Sequence, residues 1–238
     1  MNASPPPQDL NDAEKVARLR LIRTENVGPV TFARLMARFG AARPALDALP
    51  DMAARGGRAK PLAICSQTAA EDELATLAGL GAVAVFMDER AYPPLLRHID
   101  DAPPILFVRG HLGLLNKKTV AVVGSRNASV NGKRFAEHMA RALGDAGYLV
   151  ASGMARGIDA AAHQGARATG TLAVLGGGVD VVYPREHEAL YASLVERGAV
   201  CSEIRCGTTP QARHFPRRNR IISGVARAIV VLEAGAKS

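Results

Sequence analysis

The sequence predicts an α/β fold: a doubly wound, mainly parallel sheet preceded by a small all-helical segment. Three observations carry that expectation. From residue 119 onward, five short apolar runs alternate with helical stretches. Residues 10–60, by contrast, carry helical spacing only. Each of the first four apolar runs is followed by an unusual stretch of glycine, serine, arginine or acid. Short apolar strands joined by helices make β-α-β units, and right-handed crossovers wind these into one sheet.

Taken in order, residues 1–9 are proline-rich and read as a flexible tail. Ala13, Val16, Leu19 and Ile22 recur at helical spacing. Asn26-Val-Gly-Pro breaks that helix, and Pro29 suits the first turn of the next. Phe32, Leu35, Met36 and Phe39 then form an i, i+3, i+4, i+7 stripe, closed by Gly40. The Val-Gly-Pro turn resembles a helix-hairpin-helix element that grips the DNA backbone, but its single glycine is weak support and favours a plain helical packing module. Residues 50–61 read as a linker, so a helical unit at 10–60 precedes an α/β unit at 61–238.

The α/β unit opens with a helix at 69–80 and strands at 82–87 and 104–110. Strands at 119–123, 148–152, 171–176, 199–204 and 228–233 follow. Helices at 130–146, 159–168, 185–197 and 218–226 separate them. The last strand runs into Gly235 with no helix after it. One face near that strand is therefore expected to lack its cover, in a unit truncated at its C-terminal end.

Composition narrows the function. The 238 residues are 48% hydrophobic and 22% charged, which excludes disorder throughout. No apolar run approaches the roughly 20 residues of a membrane span. The first residues have no basic flank and no apolar stretch, so they do not form a signal peptide. Three scattered cysteines make neither a disulfide framework nor a zinc site, and a cytoplasmic location is expected. The net charge of +8 suits a polyanionic partner, and its clustering matters more. Residues 213–220 read RHFPRRNR, with four arginines and no acid.

In a doubly wound sheet, ligands bind where the strands end at their carboxyl side. The unusual stretches all fall there: Gly124, Ser125 and Arg126; Ser152, Gly153, Arg156 and Gly157; Gly176 to Asp180, then Tyr183-Pro184; and residues 211–223. Glycines let backbone N–H groups approach a phosphate, and helix N-termini add positive charge. Ser125 and Ser152 can donate to phosphate oxygens, and Arg126 and Arg156 bring forked cations. Alternatively, any one of these glycines serves only a tight turn. Spacing excludes a dinucleotide fingerprint, a P-loop and a nucleophile elbow. His163 reads as a helix-surface or capping partner. The acids Asp159, Asp180, Glu203 and Glu233 lie on four elements and mark no catalytic pair. Phe215 stands among Arg213, Arg217, Arg218 and Arg220, and Asn219 can hold their loop. An aromatic within a basic run suits single-stranded nucleic acid, where bases stack and phosphates need cations. The competing reading is that Phe215 plugs the core.

VAVVGSR (120–126), SGMARGID (152–159), GGGVDVVYP (176–184), SE (202–203) and HFPRRNRIISG (214–224) together resemble the DNA-processing protein A (DprA/Smf) family. The resemblance covers about 65–235, and residues 10–60 resemble that family's N-terminal SAM-like domain. It implies an extended Rossmann-like domain that binds single-stranded DNA, forms a homodimer and loads RecA recombinase in natural transformation. It further implies DNA contacts from Arg126, Arg156, Phe215, Arg217, Arg218 and Arg220. Position 156 is Arg where relatives often have Lys. The expectation is a non-enzymatic DNA-binding protein without cofactor or metal. The alternatives are a nucleotide phosphoribohydrolase-like enzyme on a related sheet, whose PGGxGTxxE signature is absent, and a nucleotide-sensing module without DNA.

Overall fold

The computed structural model describes residues 9–55 and 60–235. All but residue 9 of the expected tail lies outside them. Three helices come first: α1 (Asp12–Arg23), α2 (Pro29–Phe39) and α3 (Ala42–Arg55). The Asn11 side chain caps α1 by accepting from the Glu14 N–H at 2.9 Å. Pro29 starts α2, and Gly40, at φ 75°, ends it in the left-handed conformation that glycine adopts readily. The third helix is a correction. Pro50 lies inside α3, within the stretch expected to be a linker. Ala42, Ala45, Leu46 and Leu49 of α3 are buried against Ala17, Leu21, Phe32 and Leu35. That packing holds the helix despite the backbone donor that proline lacks.

After α4 (Gln67–Gly79) the described residues build seven strands. They are β1 (Ala82–Phe86), β2 (Ile105–Gly110), β3 (Thr119–Gly124), β4 (Leu149–Ser152), β5 (Thr171–Val174), β6 (Ala199–Ser202) and β7 (Ala228–Leu232). The sheet order is β1-β2-β6-β5-β4-β3-β7. The pairs among β6, β5, β4, β3 and β7 are parallel, as the alternation predicts. The β1–β2 and β2–β6 pairs are antiparallel, so the sheet is mixed at one side.

Helices cover both faces. Ala173 and Val200 face a core shared with Leu19 of α1, Leu77 of α4 and Leu194 of α7 (Glu188–Arg197). Val122 and Val150 pack against Ala136 of α5 (Val130–Asp145) and Ile158 of α6 (Ile158–Gly165). Ala121, Ala151, Leu172 and Val174 point the other way, to Ile221, Ile222 and Val225 of α8 (His214–Val225). Adjacent residues thus serve opposite cores, and the central strands read as continuous apolar runs. On β7, Ile229 and Val231 are exposed. Among the described residues no helix is long and apolar enough to cross a membrane.

α8 corrects a second expectation. The basic run was expected to be mostly loop, with a helix from 218; it is instead the first half of α8. Pro216 falls in the first turn, where its missing N–H has no helical partner to lose. Helical spacing then sorts the arginines. Arg218 turns inward and is buried with Ile221 and Ile222, while Arg217 stays exposed.

Candidate nucleic-acid interface

The parallel strands bring their carboxyl-end loops together beside the N-terminus of α8. Gly157 shows how closely they meet. Its φ is 75°, and a Cβ there would lie 2.2 Å from the Ser125 carbonyl oxygen. Any side chain would therefore push the Ser125–Arg126 loop away. The Ile158 N–H donates to that carbonyl at 3.1 Å and fixes the two loops to each other. The Ser125 hydroxyl accepts from the Asn127 N–H at 3.2 Å. Gly124 sits where a Cβ would meet the Leu232 carbonyl oxygen at 2.0 Å, so its glycine serves strand packing.

Beneath these loops lies a buried polar cluster. Arg218, 5% exposed, donates to the carbonyl oxygen of Gly153 at 2.6 Å and to that of Val174. A Cβ on Gly153 would strike this guanidinium. Asp159, also 5% exposed, accepts from the Gly153 N–H at 3.1 Å and the Ala155 N–H at 3.4 Å. Burial pushes the Asp159 carboxyl up, against the pull of Arg218 and of those N–H groups. Burial lowers Arg218 in turn, and Asp159 opposes it. Ser152 is fully buried and donates to the Val122 carbonyl oxygen at 2.6 Å.

Two expectations change accordingly. Ser152 ties β4 to β3 and does not offer its hydroxyl to a ligand. Arg218 holds the loop from below through the Gly153 and Val174 carbonyl oxygens, rather than standing free among the surface arginines.

Above this floor the side chains are open. The Arg126 guanidinium lies 5.3 Å from the centroid of the Phe215 ring. Phe215 meets Tyr183 at 5.5 Å between centroids, with planes tilted by 40°. Arg126, Arg156, Tyr183 and Phe215 line a cavity of about 120 Å³ floored by Gly153 and Arg218. Phe215 is half-buried, so neither bare reading of it, platform or core plug, describes its place. Tyr183 is 51% exposed and offers the more open ring. A second cavity of about 380 Å³, lined by Gly124, Arg126, Asn219 and Arg220, opens on the side of α8 facing β7.

The outer cations already have partners. Arg156 donates to Glu186 at 2.8 Å through one nitrogen and more closely through another, and this pulls the Glu186 carboxyl down. Arg217 lies 3.1 Å from one oxygen of Glu203. Arg220 lies 2.5 Å from the other and 3.2 Å from Asp101. Arg220 is only 15% exposed and is occupied inside the fold. Asn219 accepts from Arg218 at 3.2 Å and faces outward.

The acids have structural work as well. Asp180 accepts from the Gly207 N–H at 2.8 Å. Glu233 accepts from the Ser129 N–H at 2.7 Å, at the start of α5. His163 is fully buried in α6, with Nδ1 2.8 Å from the Thr171 hydroxyl, so it lies in the core rather than on the helix surface. Among the described residues no group of three or more His, Cys, Asp or Glu could hold a metal. The site residue outside the expected set is Tyr183. Its signal was its place after the third strand of the alternation, and only the fold shows that it meets Phe215.

A profile of the family described as DNA recombination-mediator protein A matches residues 83–238. A profile of the DprA-like N-terminal HHH domain matches residues 12–76. Protein Smf of Escherichia coli K12 is 44% identical over 154 residues, covering 63% of this chain and 41% of that protein. The DNA processing protein DprA of Streptococcus pneumoniae is 43% identical over 149 residues, covering 62% and 52%. This chain thus spans about half or less of the length of these curated relatives. The X-ray structure of S. pneumoniae DprA superposes with a TM-score of 0.66 at 36% identity, over 73% of this chain and 60% of that one. A structure of Helicobacter pylori DNA processing protein A, described for its single-stranded DNA binding mode, gives 0.61 at 25% identity, over 66% and 71%.

Proposed function

The chain belongs to the DNA recombination-mediator protein A (DprA/Smf) family, and from that premise we propose that it binds single-stranded DNA at the carboxyl ends of its strands. One observation carries the reading: the open Tyr183 ring and the half-buried Phe215 ring share one cavity with Arg126 and Arg156. Bases stack on aromatic faces whatever their sequence, and guanidinium groups meet the phosphates between them. Duplex DNA hides its base faces. The H. pylori relative, described by its single-stranded DNA binding mode, supports the same reading. Asp159, Asp180, Glu203 and Glu233 are each held in structural contacts, which favours binding over bond-breaking chemistry. The reading extends to the family's expected partners, a second copy of the chain and the RecA recombinase that it would load on the bound strand in transformation.

A binding titration of single-stranded and duplex DNA at several salt concentrations tests this. Arg126 is open, and Arg156 and Arg217 are exposed cations that would exchange Glu186 and Glu203 for phosphate, so at most about three phosphates are neutralised, and log K falls with log salt with a slope of about −2. Single strands bind more tightly than duplex, with little sequence preference. Equal or tighter duplex binding refutes the reading. Release of free base from a nucleoside monophosphate would instead establish the phosphoribohydrolase alternative.

A further inference from the structure

A cleft of about 370 Å³ lies between the helical segment and the α/β sheet. Its walls come from the end of α1, the turn before α2, the residues leading into β2, the β6–α8 loop and the start of α8. Arg23, Arg205 and Arg217 line it, together with apolar Val27, Pro104 and Ile204. Arg23 forms the floor: it donates to Glu73 at 2.7 Å and lies over the Phe107 ring at 5.4 Å. Arg205 and Arg217 are 59% and 51% exposed in their side chains, so both are accessible to a ligand. The acids here are recessed. The side chain of Glu73 is 5% exposed and that of Glu203 8%, so each holds arginines in place from below.

Arg217 links this cleft to the site already described. The first turn of α8, about 5.4 Å of helix axis, is the wall between the cleft and the cavity under Phe215. The lining itself argues for the ligand class. A bare anion needs only cations, whereas alternating guanidinium and apolar surface matches a nucleotide, with its phosphate, sugar and base.

Building on single-strand binding at the Phe215 cavity, we infer that the cleft is a second subsite for the same DNA strand, in which Arg205 and Arg217 take a phosphate beyond the stacked bases. The helical segment thereby forms one bank of the binding track.

Oligothymidylates of increasing length, below and above the roughly 4–16 nucleotides typical of single-strand sites, separate the two subsites. Fluorescence anisotropy is measured for the wild type, Arg205→Gln, Arg205→Lys, Arg126→Ala and Arg197→Gln. Arg197, at the far end of α7, controls for loss of charge alone. Arg205→Gln should weaken long strands about 5-fold, the scale of one exposed charged contact. It should weaken short strands less than 2-fold and flatten the long-strand salt slope by about 0.7. Arg205→Lys should restore the slope. Equal loss on both lengths, no loss on long strands, or a matching loss in Arg197→Gln overturns the subsite. So does inorganic polyphosphate that competes with long strands as well as DNA of equal charge does. Arg126→Ala tests the main site separately. If it leaves short-strand binding intact, the reading of the Phe215 cavity fails, and the length dependence in Arg205→Gln decides the cleft by itself.

Discussion

Replacing Arg218 with alanine tests whether this arginine serves the fold or the ligand. In the folded protein its guanidinium donates to the carbonyl oxygens of Gly153 and Val174, and the buried Asp159 acts on it through charge alone. Arg218→Ala leaves two buried acceptors without that donor and removes a nearby positive charge that lowers the buried Asp159 carboxyl. Leaving a buried acceptor unsatisfied costs about 1–3 kcal/mol, so the two together cost about 2–6 kcal/mol. For a protein of this size each kcal/mol lowers Tm by about 2–4 °C, so the variant should melt roughly 4–24 °C lower. Scanning calorimetry reads this directly. A second substitution sharpens the test: Asp159→Asn removes the stranded charge, so the double variant should recover part of the loss and show non-additive energies. The salt slope of DNA binding, measured well below the melting temperature, should not change. A Tm within about 2 °C of wild type, with a slope flattened by about 0.7, would refute this reasoning and make Arg218 a phosphate ligand.

Two further outcomes are expected. Phe215→Ala and Tyr183→Ala should each weaken single-strand binding by roughly 5- to 150-fold, the equivalent of about 1–3 kcal/mol per stacked base, with the salt slope unchanged; a changed slope, or normal affinity in both variants, would count against stacking. His163 is pushed down to about 3 by its burial, so the unfolded chain binds a proton that the native state refuses below the ordinary histidine range of about 6.5. Stability should therefore fall as pH drops from about 6.5 toward 3. Asp159, raised by burial, works against this trend at the lower end, so Tm is compared between wild type and His163→Gln, and equal pH dependence in the two would remove His163 as the cause.

The parallel half of the fold was legible because each strand between β3 and β7 is a short apolar run bounded by a helix of a different period. Cys201 and Val200 belong to opposite cores, yet both are apolar, so burial on two faces left a clear signature. The antiparallel pairing of β1 and β2 had no such signature, since strand direction is set by tertiary pairing. Helix α3 was missed because Pro50 and the nearby Gly56-Gly57 read as punctuation, while the buried Leu46 and Leu49 outweighed the proline. In the site, residue types were legible but roles were not. Ser152 and Arg218 have the chemistry of phosphate ligands, and only burial shows that they hold backbone instead. Glu186 lies 30 residues from Arg156, and only the fold pairs them.

Helix α1 belongs to two cores at once. Leu19 is buried with the sheet, and Val16 packs against that core, while Ala17 and Leu21 are buried with α2 and α3. Arg18 pairs with Asp88 at 2.6 Å and Lys15 with Glu89 at 3.0 Å, adding polar ties on the same side. The helical segment is consequently not a bead on a string. It cannot swivel without uncovering Leu19, and it cannot be trimmed away without opening a hole beside β1 and α4. Heat should then melt both parts in a single cooperative transition, and a protease should find no stable intermediate between the intact chain and fragments of both.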